Sequence, residues 1–346
     1  MTRKIAKDKF LIIDTDSAVY ACCFITQKKE HFGLIKGKMM FASKDKRKYN
    51  KWFKELDSIT AATVDYDFTE ELLPFSEAKK AMDGWIKDLM YLSGCKRKVL
   101  MLTKGGSCFR TYLATLKKYK GNRDNLVRPV YYDKMREYLI GTLKAKVYAK
   151  WEADDTACMS MAKAEGNDDV MAILAAIDKD LEQQRGRHVN PNKKAEGVYT
   201  ISDFEGWYSF YKQMLMGDTA DNIPGLFKVG EKKAITMLED CTTVKQLCQK
   251  VWDMYIKHGG DHVTYAPWWW LEKYDDAEYH DHALVEELRA KHPDKTRKVP
   301  IQTVFRENAD LLYMLRTPTD QYTPHIKFED WTPYPKGTVI QYLGDK

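Results

Sequence analysis

Eight carboxylates fall in four short clusters along a chain of 346 residues: Asp14 alone, then Glu152, Asp154 and Asp155, then Asp178 and Asp180, then Asp218 and Asp221. Gathered into one pocket they need compensation, because two unit charges ~4 Å apart repel by about 4 kcal/mol at an effective dielectric near 20. A divalent cation removes that cost. Ligands that are all hard oxygen, with no histidine or cysteine among them, point to magnesium or manganese. Two such ions ~3.5–4 Å apart suit in-line hydrolysis of a phosphodiester, one activating water and both clamping the oxygens of the scissile phosphate. The macrodipole alone explains one or two carboxylates at a helix start. Three within Glu152-Ala-Asp-Asp155 are more than capping needs.

The segments carrying these groups read as parts of an open α/β sheet. Residues 9–14 are a short apolar run ending in Asp14, as expected of a buried parallel strand. Catalytic groups of such sheets gather at the C-terminal ends of the strands. Asp16 and Ser17 suit the cap of a helix over 18–24. The spacing of Ala78, Ala81, Met82, Trp85, Ile86, Leu89 and Met90 predicts an amphipathic helix over 76–92, closed by Gly94. A second buried strand over 99–103 completes a right-handed βαβ unit. A short strand over 146–149 leads to Glu152 and a helix over 156–164. The run 170–177 is apolar throughout, so its period does not separate strand from buried helix. A helix or turn followed by a strand over 173–177 is expected, with Asp178 and Asp180 at its end. Residues 183–194 read as a polar loop and 197–202 as an edge strand.

Asp218 and Asp221, three apart, are expected on one face of a helix, which Asn222, Pro224 and Gly225 then break. Val229 and Gly230 make a second turn, and Glu231, Lys232, Lys233 and Ala234 open a new helix. The stretch reads as helix, glycine hairpin, helix, acidic on entry and basic on exit. The net charge of +6 is unevenly spread: between 104 and 150 twelve lysines and arginines, Arg110 among them, face only Asp124, Asp133 and Glu137. That imbalance suits a polyanion held beside metal-loaded carboxylates; the alternative is a solubilising face. Residues 28–65 are irregular and lysine-rich, with Lys44, Lys46, Arg47, Lys48 and Lys51 among Tyr49, Trp52 and Phe53. They read as a surface insertion or as a hairpin that touches nucleic acid.

Five stretches in this order resemble the 5′-nuclease superfamily: Leu11-Ile-Ile-Asp-Thr-Asp16, Tyr119-Lys-Gly-Asn-Arg123, Trp151-Glu-Ala-Asp-Asp155, Ala176-Ile-Asp-Lys-Asp180 and the hairpin from Gly217 to Ala234. That superfamily holds flap endonucleases, the 5′-exonuclease domains of bacterial DNA polymerases, and bacteriophage 5′-3′ exonucleases. The resemblance covers roughly residues 9–245. It implies an α/β fold with a PIN-like, mostly parallel central sheet flanked by helices, a helical arch, and a helix-hairpin-helix (H3TH) DNA-binding region. It further implies an inner ion on Asp14, Glu152, Asp154, Asp155 and Asp178, and an outer one on Asp180, Asp218 and Asp221. Lys120 and Arg123 are then expected to reach the scissile phosphate, a point charge and a planar fork orienting one phosphodiester. Tyr119 either stacks on a terminal base or packs. Gly225 and Gly230, with Lys232 and Lys233, are expected to grip duplex backbone through main-chain amides and charge. In the family that hairpin also holds a potassium ion.

Two departures stand out. Many relatives carry a further Asp at the end of the second strand; here Thr103 stands nearest, beside Lys104. Weaker metal binding at the inner site and a leaning to manganese are expected. Lys228 stands where relatives usually have the first glycine of the hairpin, which adds a phosphate contact and implies a less tight turn. The resemblance implies a magnesium- or manganese-dependent 5′-3′ exonuclease and flap endonuclease acting on DNA 5′ ends or flaps, and on RNA primers in RNA–DNA hybrids. A junction-binding protein of weak catalysis is the first alternative, against which the other carboxylates argue. A related RNA-cleaving nuclease is the second, against which the hairpin argues.

The expected division is a nuclease core over 1–202, including a basic arch about 104–150, and a helical H3TH region with C-terminal extension over 203–346. No run of eighteen apolar residues suggests a transmembrane helix, and the charged N-terminus lacks the apolar core of a secretory signal. Seven scattered cysteines without a CxxC pair fit a reducing compartment and no zinc ribbon. The expectation is a cytoplasmic monomer with no membrane partner, in the host cytoplasm if viral. His258, His262, His280 and His282, with Asp261 and Asp281, are poorly spaced for zinc, and a loop packed by Trp268, Trp269 and Trp270 fits that region better. Residues 308–315 read as a closing helix, and the tail after 317 as a wrap on the core.

Overall fold

A computed structural model describes residues 8–105, 108–123, 126–167, 169–175, 177–259, 262–265, 290–291 and 297–327, side chains excepted at 59, 258–259, 262–265 and 297–300. The chain falls into two compact units: Met1–Thr15 with Leu89–Leu126 and Ala145–Lys346, and Asp16–Asp88 with Val127–Lys144. In chain order the elements run β1 (Asp8–Asp14), α1 (Asp16–Phe24), β2 (Gln27–Ile35), β3 (Lys38–Ser43), α2 (Lys46–Lys54), α3 (Ser58–Ala61), β4 (Val64–Leu72) and α4 (Phe75–Ser93). Next come β5 (Arg97–Thr103), α5 (Phe109–Leu113), α6 (Tyr132–Gly141), β6 (Lys146–Tyr148), α7 (Ala153–Glu165), β7 (Val170–Ala175), β8 (Gly186–Val189) and β9 (Val198–Ile201). The last are α8 (Asp203–Met216), β10 (Gly217–Asp218), β11 (Ile223–Pro224), α9 (Glu231–Leu238), α10 (Val244–Gly259), β12 (His262–Tyr265), β13 (Arg297–Pro300) and α11 (Ile301–Leu312).

The first unit is built on a six-stranded sheet of order β6-β5-β1-β7-β8-β9. All its pairings are parallel except β8 with β9. β1 lies at the centre because Leu11, Ile12 and Ile13 are apolar on both faces and wholly buried. Asp14 stands opposite Met101 of β5, and Ile13 opposite Ala175 of β7. Parallel strands end on one rim, so Asp14, Thr103 and the chain leading to Asp178 leave the sheet on the same side. α7 covers the sheet with Ala157, Cys158 and Met161 against Ile12, Met101 and Leu174. A second core joins α8, α9, α10 and α11 with Phe109 and Leu113 of α5. α8 starts at a capping box, Ser202 with Glu205, which closes two otherwise unpaired N–H groups.

Several expectations change at the level of elements. β7 is strand from Val170 onward, since its pairing with β1 begins at Asp8 and leaves no room for a preceding helical turn. Gly186–Val189, expected as loop, is a strand whose polar sequence sits between two neighbours that supply its hydrogen bonds. Residues 28–65 are regular: β3, β2 and β4 form an antiparallel sheet in the second unit, against which α2 packs Tyr49 and Trp52. The closing helix begins at Ile301 and ends at Leu312. The histidine and tryptophan region, 266–289, and the tail from 328 lie outside the described residues.

Candidate active site

The hairpin corrects the geometry expected for its acidic pair. α8 stops at Met216, and Gly217 takes φ +68°. Asp218 then pairs with Ile223 across a two-residue antiparallel ladder. Asp218 and Asp221 therefore face each other through a tight turn, not along a helix: the Asp218 Oδ1 accepts from the N–H of Ala220 at 2.8 Å and of Asp221 at 3.3 Å. The turn is possible because two glycines meet. A Cβ on Gly217 would come 2.2 Å from the Gly225 nitrogen, and one on Gly225 would come 2.2 Å from the Met216 carbonyl carbon. Gly225 thus serves backbone contact within the hairpin, whereas Gly230 is exposed, with nothing near its missing Cβ. Gly230 caps α9, whose first turn exposes Lys232 and Lys233. A cleft of about 560 Å³ lies beside it, lined by Lys117, Thr219, Asn222, Gly225, Lys228 and Gly230 among others. Lys228 keeps the turn a glycine would make, at φ +55°, so the expected loosening does not occur. Its strain is left in place.

Glu152 is the N-cap residue of α7, and the ligand oxygens of Glu152, Asp154 and Asp155 lie within 4.8 Å of one another. Among the described residues this is the one group of three or more with metal-ligand geometry. The first α7 amide, at Ala153, donates to Thr103 Oγ1 at 2.8 Å. Thr103 thus caps the helix that carries the acids. Burial and the neighbouring Asp155 and Glu152 push the Asp154 carboxyl well above the ordinary range. Burial acts the same way on Glu152, but Lys120 and Arg110 outweigh it and hold that carboxyl at about 2.

Arg110, one of the twelve cations between 104 and 150, lies inside the fold. It is fully buried, and all five of its N–H groups are used. Nη1 and Nη2 bind Asp155 at 2.6 and 2.8 Å, Nη1 also binds Glu152 at 3.0 Å, Nε binds the Leu311 carbonyl at 2.7 Å, and Nη2 binds that of Tyr313 at 2.9 Å. Asp155, expected as an ion ligand, has both oxygens in this fork and no exposure. It holds Arg110, which also binds Glu152, while its ligand oxygen stays within the acidic group of three. Tyr119, offered as a base-stacking residue, is 7 % exposed. Its ring belongs to the second core, and its hydroxyl lies 2.7 Å from Glu152 and 2.8 Å from Asp221. In this structure the ring packs.

Lys120 takes φ +57°, and its N–H donates to the Asp221 carbonyl at 2.8 Å. Its ammonium meets Glu152 and stands 3.7 Å from Asp221. Burial would lower its pKa, but Glu152 and Asp221 raise it, so it stays charged. Arg123 binds the Ala220 carbonyl at 2.8 Å and the Asp221 carboxylate. Burial, opposed by Lys120 and reinforced by Glu152, leaves the Asp221 carboxyl raised.

On the far side, Asp178 caps a short 3-10 turn by accepting from Asp180 N–H at 3.0 Å. Its carboxyl is raised by burial and by the Asp180 charge, with Asp221 adding to the effect. Lys179, unremarked in the sequence, bridges Asp180 at 2.9 Å and Asp218 at 2.6 Å. Gln213 donates to the same Asp180 oxygen. Only the position of Lys179 between two motif acids could have flagged it. Asp14 closes β1 and is buried.

These contacts test the fit of divalent cations. Carboxylates from the α7 start, the segment after β7 and the hairpin are linked by mutual repulsion in a run from Asp154 through Glu152 and Asp221 to Asp178 and Asp180. Two ammonium groups already sit between pairs of them, Lys120 and Lys179. A site that draws in lysines this way has the charge and the oxygen donors a hard divalent ion needs. The conceivable zinc ligands at 258–282 lie outside the described side chains.

No family model matches the chain. It has homologues over part of its length. It is 28% identical over 121 residues to a "5′-3′ exonuclease" of Halalkalibacterium halodurans, covering 31% of this chain and 39% of that protein. It is 26% identical over 169 residues to the "5′-3′ exonuclease" of Buchnera aphidicola, covering 45% and 57%. With DNA polymerase I of Bacillus subtilis it shares 29% over 154 residues, covering 40% and 17%. The chain thus spans less than two thirds of each of these relatives. Among solved structures it is similar to the T5 D15 protein co-crystallised with metal ions, at 15% identity and TM-score 0.44, covering 88% of this chain and 89% of that one. For the catalytic core of Rad2 in complex with DNA substrate the values are 11%, 0.38, 92% and 84%.

Proposed function

We propose that this chain is a divalent-metal-dependent 5′-3′ exonuclease and structure-selective flap endonuclease that hydrolyses phosphodiester bonds at DNA 5′ ends and flaps, and in RNA–DNA hybrids. The observation that carries this reading is the run of carboxylates from three separate segments, Glu152 and Asp154 at the α7 start, Asp178 and Asp180 after β7, and Asp221 in the hairpin. Sequence homology to proteins named 5′-3′ exonuclease supports it.

In this reading Asp14, Glu152, Asp154 and Asp178 hold one magnesium or manganese ion, with Asp155 fixing Arg110 behind them. Asp180, Asp218 and Asp221 hold the second. Bound ions supply the Lewis acidity that activates water and stabilises charge on the phosphate. The residues of the chain do the rest. Lys120 and Arg123, now spent on Glu152 and Asp221, turn to the scissile phosphate once cations neutralise those acids. Tyr119 keeps Glu152 and Asp221 at a fixed separation. Lys228, Lys232 and Lys233 and the open N-terminus of α9 hold duplex phosphates without reading bases, with potassium as the expected companion ion of the cleft. The functional halves, 1–202 for chemistry and 203–346 for grip, cut across the compact units. A cytoplasmic monomer completes the proposal; no described helix is long and apolar enough to cross a membrane.

The test is cleavage of a 5′-flapped duplex labelled at the flap's 5′ end, with magnesium or manganese, beside the Asp178→Ala protein. Short labelled products that need metal and vanish in Asp178→Ala are the expected result. Tight flap binding with no cleavage in either metal would replace the nuclease by a junction-binding protein.

A further inference from the structure

The three-stranded sheet of the second unit has two unlike faces. Register pairs Lys29 with Glu70, His31 with Phe68 and Gly33 with Tyr66, so these lie on one face; Glu30, Asp65, Asp67 and Glu71 lie on the other with Lys28. α2 covers part of the first face. Its Trp52 ring occupies the place of a Gly33 side chain and stacks on Phe41 at 4.9 Å. Its Tyr49 ring also packs on Tyr66 of β4 at 4.9 Å, without covering that strand. There Tyr66 and Phe68 stay 41 % and 45 % exposed, their rings 6.2 Å apart and within 25° of parallel. Tyr66 is held by His31 Nδ1 at 2.7 Å. Lys46 stands 5.4 Å from the Tyr66 ring, and Lys29, 3.4 Å from the Glu70 carboxylate on the same face, stands 5.5 Å from that of Phe68. Between residues 36 and 54 the chain carries eight lysines and arginines against Asp45 alone.

Packing alone does not explain this arrangement, because a protein that only needed to cover β4 would place charge on both faces of an edge strand. Two near-parallel aromatic rings standing out from a sheet, with ammonium groups beside them, form the platform on which unpaired bases stack while lysines meet phosphates. The acidic opposite face repels a polyanion, which fixes the side from which it docks. We propose that the Tyr66–Phe68 face of this sheet is a second nucleic-acid site, specific for single strands and indifferent to base identity. It shares no residue with the carboxylate site and needs no metal ion.

The experiment measures binding of a fluorescein-labelled oligothymidylate and of a blunt hairpin duplex in EDTA, by anisotropy, across a salt series. Phe68→Ser and Tyr66→Ser are each expected to weaken oligothymidylate binding by about five-fold or more, the size of one lost base stack, and to leave the duplex unaffected. Lys29→Gln and Lys46→Gln are each expected to reduce the slope of log K against log salt by about 0.7, one phosphate contact on a single strand. Unchanged oligothymidylate affinity in the ring variants overturns the site. So does an equal loss on duplex, which would make the rings supports of the fold. Phe68→Leu, which keeps apolar volume without a π face, guards against unfolding: it should bind as weakly as Phe68→Ser at an unchanged melting temperature, and wild-type affinity in it also overturns the site. Metal-dependent cleavage with Asp178→Ala is read separately, so loss of the nuclease reading leaves this site standing, and the reverse.

Discussion

At the scale of single residues, Arg110 and Thr103 carry more than their types suggest. Arg110 is fully buried in a five-bond fork that ties α5 to Asp155, Glu152, the last turn of α11 and Tyr313 just beyond it. Removing one partner of such a pair leaves a buried carboxylate uncompensated, at a cost of about 3–5 kcal/mol. Arg110→Met is therefore expected to lower unfolding free energy in urea by that amount, and Arg110→Lys to recover only part of it, since lysine has no planar fork. Equal stability of wild type and Arg110→Met would remove the bracing role. Thr103 accepts from the first α7 amide. Thr103→Asp keeps that acceptor, gains from the helix N-terminus, and adds a carboxylate at the rim. The expected result is tighter magnesium binding and a smaller advantage of manganese in cleavage titrations. An unchanged metal dependence would show that the missing acid is not what sets metal preference.

At the scale of elements, the hairpin between α8 and α9 trades stability against charge. Lys228 in the left-handed region costs about 1–2 kcal/mol. Lys228→Gly relieves this and gives back about 0.4–1 kcal/mol through the freer unfolded chain. Stability should rise by roughly 0.5–1 kcal/mol while the salt slope of duplex binding falls by about 0.9, one phosphate contact. Stability and affinity moving in the same direction would separate Lys228 from DNA contact.

At the scale of the whole molecule, the acids make folding sensitive to pH and to cations. The folded-state carboxyls of Asp154, Asp178 and Asp221 are raised, chiefly by burial. Above the ordinary carboxylate range the folded state then binds more protons than the unfolded chain, and stability falls as pH rises. Glu152, held at about 2, acts oppositely. Its contribution is in place above the ordinary glutamate value and is lost as pH falls towards 2. His188, lowered to about 4 by burial, acts the other way up to the ordinary imidazole range, so the effect of the acids is read by difference: from pH 5 to pH 8 in EDTA, Asp154→Asn is expected to lose less melting temperature, or gain more, than the wild type. Manganese, which replaces those protons, should raise the melting temperature more at pH 8 than at pH 5. Equal gains at both values would mean that the acids do not hold the ion.

Much of this protein was legible in its sequence. The apolar runs over β1 and β5 determined buried parallel strands, because a run without polar interruption has no other place in a sheet. The acids after them followed the chain to the same rim. Gly217, Gly225 and Gly230 marked the hairpin, since only glycine fits two of those positions. What the sequence could not determine was pairing across long separations. Arg110 meets Leu311 and Tyr313 some two hundred residues away, and nothing local distinguishes it from a solvated arginine. Tyr119 was poised between stacking and packing until the second core closed over its ring. Asp218 and Asp221 share a helical spacing, but the backbone contact of Gly217 with Gly225 folds them into a turn. The strand at Gly186–Val189 and the sheet over 27–72 are polar in sequence and exist because neighbouring strands satisfy their backbone groups, a condition that only the tertiary structure supplies.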